Sequence, residues 1–254
     1  MQELNFPSDH YSHDTTVEWQ YWWGKLSNET FFHFANFRFK FGGFRGRAVH
    51  SSLHDGETQY FEETCNDYGE MASSSGFLAK GNRFHLSNKT MGLHMFPKSK
   101  PVIHDVGKIR NYYSIPSLEA EGYLYPDKKV TADVWMDHEF SDFDMSAHNW
   151  DWVAVKLDIG MNIVVYKAKE REFCSVMYGD KTGSSKFILD GKHLYIYGLA
   201  SYFIMEPTVE EKIFHPKFGP PYSEQPFKVM GKGEFVGHGM REKTYGDGGK
   251  VNGN

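Results

Sequence analysis

In residues 17–23 the odd positions, Val17, Trp19, Tyr21 and Trp23, are all apolar, and the even positions begin with Glu18 and Gln20. A repeat of two puts successive side chains on opposite faces, the pattern of a strand. In residues 37–41 three phenylalanines alternate with Arg38 and Lys40, so rings occupy one face and cations the other, until Gly42-Gly43 ends the run. Further short runs occur at 59–62, 83–86, 122–125, 152–157, 161–168, 186–189, 193–197 and 227–235. Punctuated by Gly, Asp and Asn, they predict an antiparallel sheet protein.

Helical patterning is scarce. Residues 207–214, PTVEEKIF, open on Pro and carry acidic residues early, which predicts a short crossover helix of about two turns. Helices of about 10–15 residues do not alternate with the strands, so a TIM barrel or doubly wound sheet has no support. That leaves antiparallel sandwiches and barrels. The stretches KSKPVIHDVG (98–107) and GDKTGSS (179–185) read as loops, whereas FSDFDMSAHNWDW, after Glu139, separates two sets of strand runs of comparable size. The expected domain boundary is near residue 145, giving β domains over 1–145 and 146–254.

Composition narrows the class. Phe 21, Tyr 15, Trp 6 and Gly 25 suit strands and tight turns, and 40% hydrophobic with 24% charged residues is a globular composition that excludes a disordered chain. With 28 Lys and Arg against 33 Asp and Glu, the net charge of -5 offers no general attraction to nucleic acid, and none is expected as a partner. Cys65 and Cys174 lie in no CxxC or Cys/His cluster and read as free, buried thiols. MQELNFPSDHYSHD lacks a basic segment followed by an apolar one, and no run reaches the roughly 18 apolar residues of a membrane span, so the chain reads as cytoplasmic.

Two motifs stand out. The first is FPSDHYSH (6–13) followed by EWQYWWGKL (18–26), and the second is VWMDHEF (134–140) followed by NWDWVAVKLDIG (149–160). Together they resemble the AttH/CrtC-like superfamily of lipocalin-like proteins, in which FPxDHxxH leads into EWWYxxGxL and is followed much later by WxDHEF and a GWDWFxxQLDDG-like segment. Tyr112 to Ser114 also resembles the segment before the second motif, and the resemblance covers roughly residues 6–245. Gln20 and Asn149 depart from the family's usual Trp and Gly. The family includes carotenoid 1,2-hydratases and cyclases, among them Diels–Alderases. It implies an all-β fold of two lipocalin-like antiparallel β-barrel or sandwich domains packed together, with a ligand cavity near their interface.

The chemistry also reads from the residues. If 133–139 are extended, Trp135, Asp137 and Glu139 share one face and His138 points to the other. Paired carboxylates in an apolar cavity repel one another and lose solvation, which raises the pKa of at least one and keeps an acid available to a double bond. Glu18 pairs with His138 or with Arg38. Asp137 is then the acid, tuned by Glu139 or Glu18 and oriented by His138, while Trp22, Trp135, Trp150, Trp152 and Tyr112 shape the pocket and stabilise a developing cation. All six tryptophans fall at 19, 22, 23, 135, 150 and 152, beside the acidic motifs, so rings and carboxylates are expected to meet at one cavity between the barrels.

His10, His13, His138, Asp137 and Glu139 offer metal-type ligands, but without HxH on a strand, HExxH or a cysteine pair neither a metal nor any other cofactor is expected. The plainer reading is that Asp9-His10 and Asp137-His138 tie the N-terminal segment to the barrel. No GxSxG elbow, Walker sequence or dinucleotide fingerprint appears, and GKGEFVGHG (231–239) reads as turns and close backbone approach. The sequence thus points to a cofactor-independent lyase or isomerase that hydrates or cyclises a carbon–carbon double bond. Its partner would be an apolar isoprenoid or polyene, reached in part by transient association with a membrane. The alternative is a lipid or terpenoid binding protein without chemistry.

Overall fold

The computed structural model describes residues 4–66, 76–104, 110–142, 149–169, 171–217 and 219–246. The chain divides into two compact units, Met1–Phe143 and Asp144–Asn254. The expected boundary at residue 145 lies outside the described residues, as does the Cys65 side chain.

The first unit holds β1 (Val17–Leu26), β2 (Phe31–Phe41), β3 (Phe44–His54), β4 (Thr58–Asn66), β5 (Gly76–Lys80), β6 (Arg83–Ser87), β7 (Met91–Pro97), β8 (Val102–His104), β9 (Arg110–Leu124) and β10 (Lys128–Ser141). They form one sheet in the order β4-β3-β2-β1-β10-β9-β7-β6-β5, with β8 on β9. The second holds β11 (Trp150–Leu157), β12 (Met161–Ala168), β13 (Arg171–Tyr178), β14 (Lys181–Ser184), β15 (Phe187–Asp190), β16 (His193–Ile196), β17 (Ser201–Pro207), β18 (Lys212–Phe214), β19 (Tyr222–Gly231) and β20 (Glu234–Thr244). Its order is β14-β13-β12-β11-β20-β19-β17-β16-β15, with β18 on β19. The two orders are the same once ten is added to each strand number of the first, so the units repeat one topology.

Each sheet curls so that one face encloses a core. In the first unit Trp22, Phe34, Val49, Leu86, Leu93, Tyr113 and Met136 meet there, and Asn88 beyond β6 donates across to Ser51 on β3 at 2.8 Å. In the second, Val153, Val165, Leu194, Phe203 and Phe227 surround the buried free thiol of Cys174. This is an all-β fold of two curled antiparallel sheets, as the alternation of apolar positions requires.

Four local expectations are corrected. Pro207 ends β17 and Lys212–Phe214 pairs with β19 instead of turning helical, because two turns bounded by prolines hold little helical stability against an available strand edge. Residues 98–107 contain β8 and residues 179–185 contain β14, both short strands. Residues 227–235 are two strands joined at Lys232 and Gly233, both with positive φ. Within β20, a Cβ on Gly239 would lie 2.3 Å from the Ala154 carbonyl oxygen, so the close approach read from the glycines is real there.

Candidate functional site

Strand β10 carries the second motif through the middle of the first sheet, and every residue from Val134 to Ser141 is buried. Its pleat separates the candidates. Register pairs Gln20 with His138 and Glu18 with Phe140, so even-numbered residues of β1 and β10 share the core face. Trp135, Asp137 and Glu139 occupy the opposite face.

On the core face, Glu18 Oε1 lies 2.8 Å from His138 Nε2 and 3.0 Å from His13 Nδ1, with Arg38 Nε 4.0 Å from Oε2. Of the two partners expected for Glu18, His138 is therefore the close one, joined by His13 from the segment before β1. The His13 backbone N–H also donates to Glu18 Oε2 at 3.1 Å. Burial opposes ionisation of Glu18, but these histidine contacts outweigh it and hold the carboxyl down at about 2. His13 is raised, since its bonds to Glu18 and Asp9 overcome desolvation, and His138 is lowered, chiefly by burial. Tyr113 Oη ties the group together: it donates to the Asp9 carbonyl at 3.0 Å and lies 2.7 Å from His10 Nδ1 and 2.9 Å from His138 Nδ1. Burial lowers His10 to about 4. These bonds tie the N-terminal segment to the sheet.

On the opposite face, Asp137 Oδ1 accepts from Trp135 Nε1 at 2.9 Å and from the Ser114 hydroxyl, and Ser114 Oγ lies 2.8 Å from His104 Nε2. Burial lowers His104 to about 3, so its ring is neutral and Nε2–H donates to Ser114, which passes its own proton towards Asp137. Trp23 stacks on Trp135 with ring centroids 6.2 Å apart, and Tyr112, opposite Glu139 in the register, packs on His104 at 4.8 Å.

The expected meeting of all rings and carboxylates does not occur within the first unit. Asp137, Glu139, Trp135 and Tyr112 share one face, while Glu18, His138 and Trp22 lie on the other, Trp22 in the core against Phe34. His138 does not orient Asp137, because adjacent residues of a strand face apart. Trp150 and Trp152 belong to the second unit, where Trp150 Nε1 donates to Glu242 Oε1 at 2.5 Å and Trp152 stands opposite Glu242 in the register. Glu242 also pairs with Glu224 across β19 and β20, and burial raises its pKa. Sequence reasoning named none of Ser114, Tyr113, Glu224 and Glu242 as working groups. The available signal was alternation, which places each of them on a strand.

No family model matches the chain, and no curated protein matches it by sequence. Solved structures do. A candidate AttH from Nitrosomonas europaea matches with a TM-score of 0.79 at 18% identity, over 96% of this chain and 97% of that one. Kievitone hydratase from Nectria haematococca matches with a TM-score of 0.68 at 12% identity, over 91% and 89%. CghA with Sch210972 matches at 0.51 and 9% identity, over the same shares of 91% and 89%. The chain therefore shares the two-domain, lipocalin-like fold of these structures.

Proposed function

We propose that this protein is a hydratase-type lyase, or a cyclase, that protonates a carbon–carbon double bond of an apolar small molecule without a cofactor, with Asp137 as the acid. The observation that carries the reading is the buried chain from His104 through Ser114 to Asp137, which fixes one carboxyl oxygen beside Trp135. With Oδ1 held by two donors, the proton of the acid form sits on Oδ2. Transfer of that proton to an alkene carbon leaves a carbocation and a carboxylate. Water then adds to the cation and returns a proton to Asp137, or an internal double bond closes the ring and a neighbouring carbon returns it. Trp135, Trp23 and Tyr112 supply aromatic surface on the same face, suited to an isoprenoid or polyene cation. A structure of the same fold that is named as a hydratase supports this class.

The two donors on Asp137 also support a second reading, in which the carboxylate is a fixed structural acceptor and the protein binds an apolar ligand unchanged. Incubation with isoprenoid and polyene alkenes in deuterium oxide separates the two. Protonation at carbon leaves deuterium in the product, whereas binding alone returns unlabelled ligand.

A further inference from the structure

We propose that His13 Nδ1, Glu18 Oε1 and His138 Nε2 form a three-ligand site for one divalent cation of the zinc class. The three residues offer ligand atoms that all lie within 4.8 Å of one another. Zinc bonds of about 2.0–2.1 Å in a tetrahedron set neighbouring ligand atoms about 3.3 Å apart. The observed 2.8 and 3.0 Å separations from Glu18 need only a slight spread to accept the ion. Two histidines and one carboxylate are also a recurrent open site, with a remaining position for water or another ligand.

The outer contacts fit as well as the inner ones. A metal-bound histidine ordinarily donates its other ring N–H to a carboxylate or another oxygen acceptor. Here Asp9 Oδ1 stands 2.9 Å from His13 Nε2, and Tyr113 Oη stands 2.9 Å from His138 Nδ1. With the hydroxyl proton of Tyr113 given to the Asp9 carbonyl, His138 Nδ1 must be the donor to Tyr113. When both outer nitrogens donate, the two inner nitrogens of neutral rings turn lone pairs towards a carboxylate. A divalent cation satisfies all three acceptors at once, taking the place of the proton that otherwise bridges the histidines and Glu18. Glu18 and His138 are 1% and 0% exposed, while His13 is 17% exposed and leaves a way in. Arg38 is an opposing charge, its Nε 4.0 Å from the outer carboxylate oxygen. The ligands come from the N-terminal segment, β1 and β10, which is why no local metal motif announces them. The site lies across the sheet from Asp137, so it does not depend on the proposed reaction.

Cobalt(II) titration of the chelator-treated full chain tests the site. The expected result is one cobalt per chain with visible absorption bands of a low-coordinate site and a higher unfolding temperature. Asp9→Asn weakens binding by about 10–100-fold, and His13→Ala weakens it further. Should His13→Ala fail to fold, Asp9→Asn carries the test. His85 and His94, whose rings sit 4.4 Å apart on β6 and β7, are a competing location, and the double variant His85→Ala/His94→Ala is expected to bind cobalt normally. Absence of binding, binding undiminished in Asp9→Asn and His13→Ala, or binding lost with the His85/His94 pair would overturn the proposal.

Discussion

Asp137 and His138 are neighbours in the chain, yet one accepts a hydrogen bond from Trp135 on one face of β10 while the other lies 2.8 Å from Glu18 on the opposite face. The WMDHEF motif therefore serves two separate polar groups. One is an aromatic-flanked carboxyl chain through Ser114 and His104, and the other is a histidine–carboxylate cluster that fastens the N-terminal segment.

The indole N–H of Trp135 stabilises the Asp137 carboxyl group directly. Trp135→Phe keeps a ring but removes the donor, so a buried hydrogen bond to the carboxyl group worth about 0.5–1.5 kcal/mol is lost. Urea denaturation is expected to show a lower midpoint with an unchanged slope. An unchanged midpoint would mean that the indole contact contributes nothing.

Glu242 has its pKa raised by burial beside Glu224 and Trp150. The folded protein holds this proton more tightly than the unfolded chain, so stability is greatest below the unfolded value of 4.5 and falls as the pH rises from there through the folded value. Glu242→Gln is expected to remove that loss and to be the more stable protein at neutral pH. Parallel stability curves for the two proteins across the acid range would contradict this.

Gly239 faces the Ala154 carbonyl oxygen and the Phe227 ring with no room for a methyl group. Gly239→Ala is expected to cost about 1–3 kcal/mol through strain between β11, β19 and β20. Thermal unfolding reads this as a drop of several degrees, and an unshifted transition would show that the strands relax freely.

Burial pushes the Cys174 thiol up to about 12, which leaves almost no thiolate at mildly alkaline pH. Peptide mapping after brief iodoacetamide treatment is expected to find Cys174 unmodified in the folded protein and modified in urea. Equal labelling in both conditions would place the thiol in solvent.

Much of this fold is legible in the chain because a repeat of two is a local property. The alternation from Val17 to Trp23 predicts β1, and parity alone separates His138 from Trp135, Asp137 and Glu139. Register is not local. Glu18 meets His138, one of its two expected partners, at a sequence separation of 120, and nothing near either residue decides between that partner and Arg38. The repeated topology of the two units is equally silent, since many unrelated residue choices satisfy the same alternation. β8, β14 and β18 escape notice for a simpler reason. They are three or four residues long, too short for a repeat of two to stand out from the loop or helix pattern around them, and their strand form depends on the edge they pair with.

The most direct measurement is deuterium incorporation by the intact protein and by Asp137→Asn, each incubated in deuterium oxide with the alkene that the intact protein turns over. The intact protein is expected to give a hydrated or cyclised product with deuterium at carbon, and Asp137→Asn, folded by circular dichroism, to return the alkene unchanged. Labelled product formed equally by both proteins would show that Asp137 is not the acid.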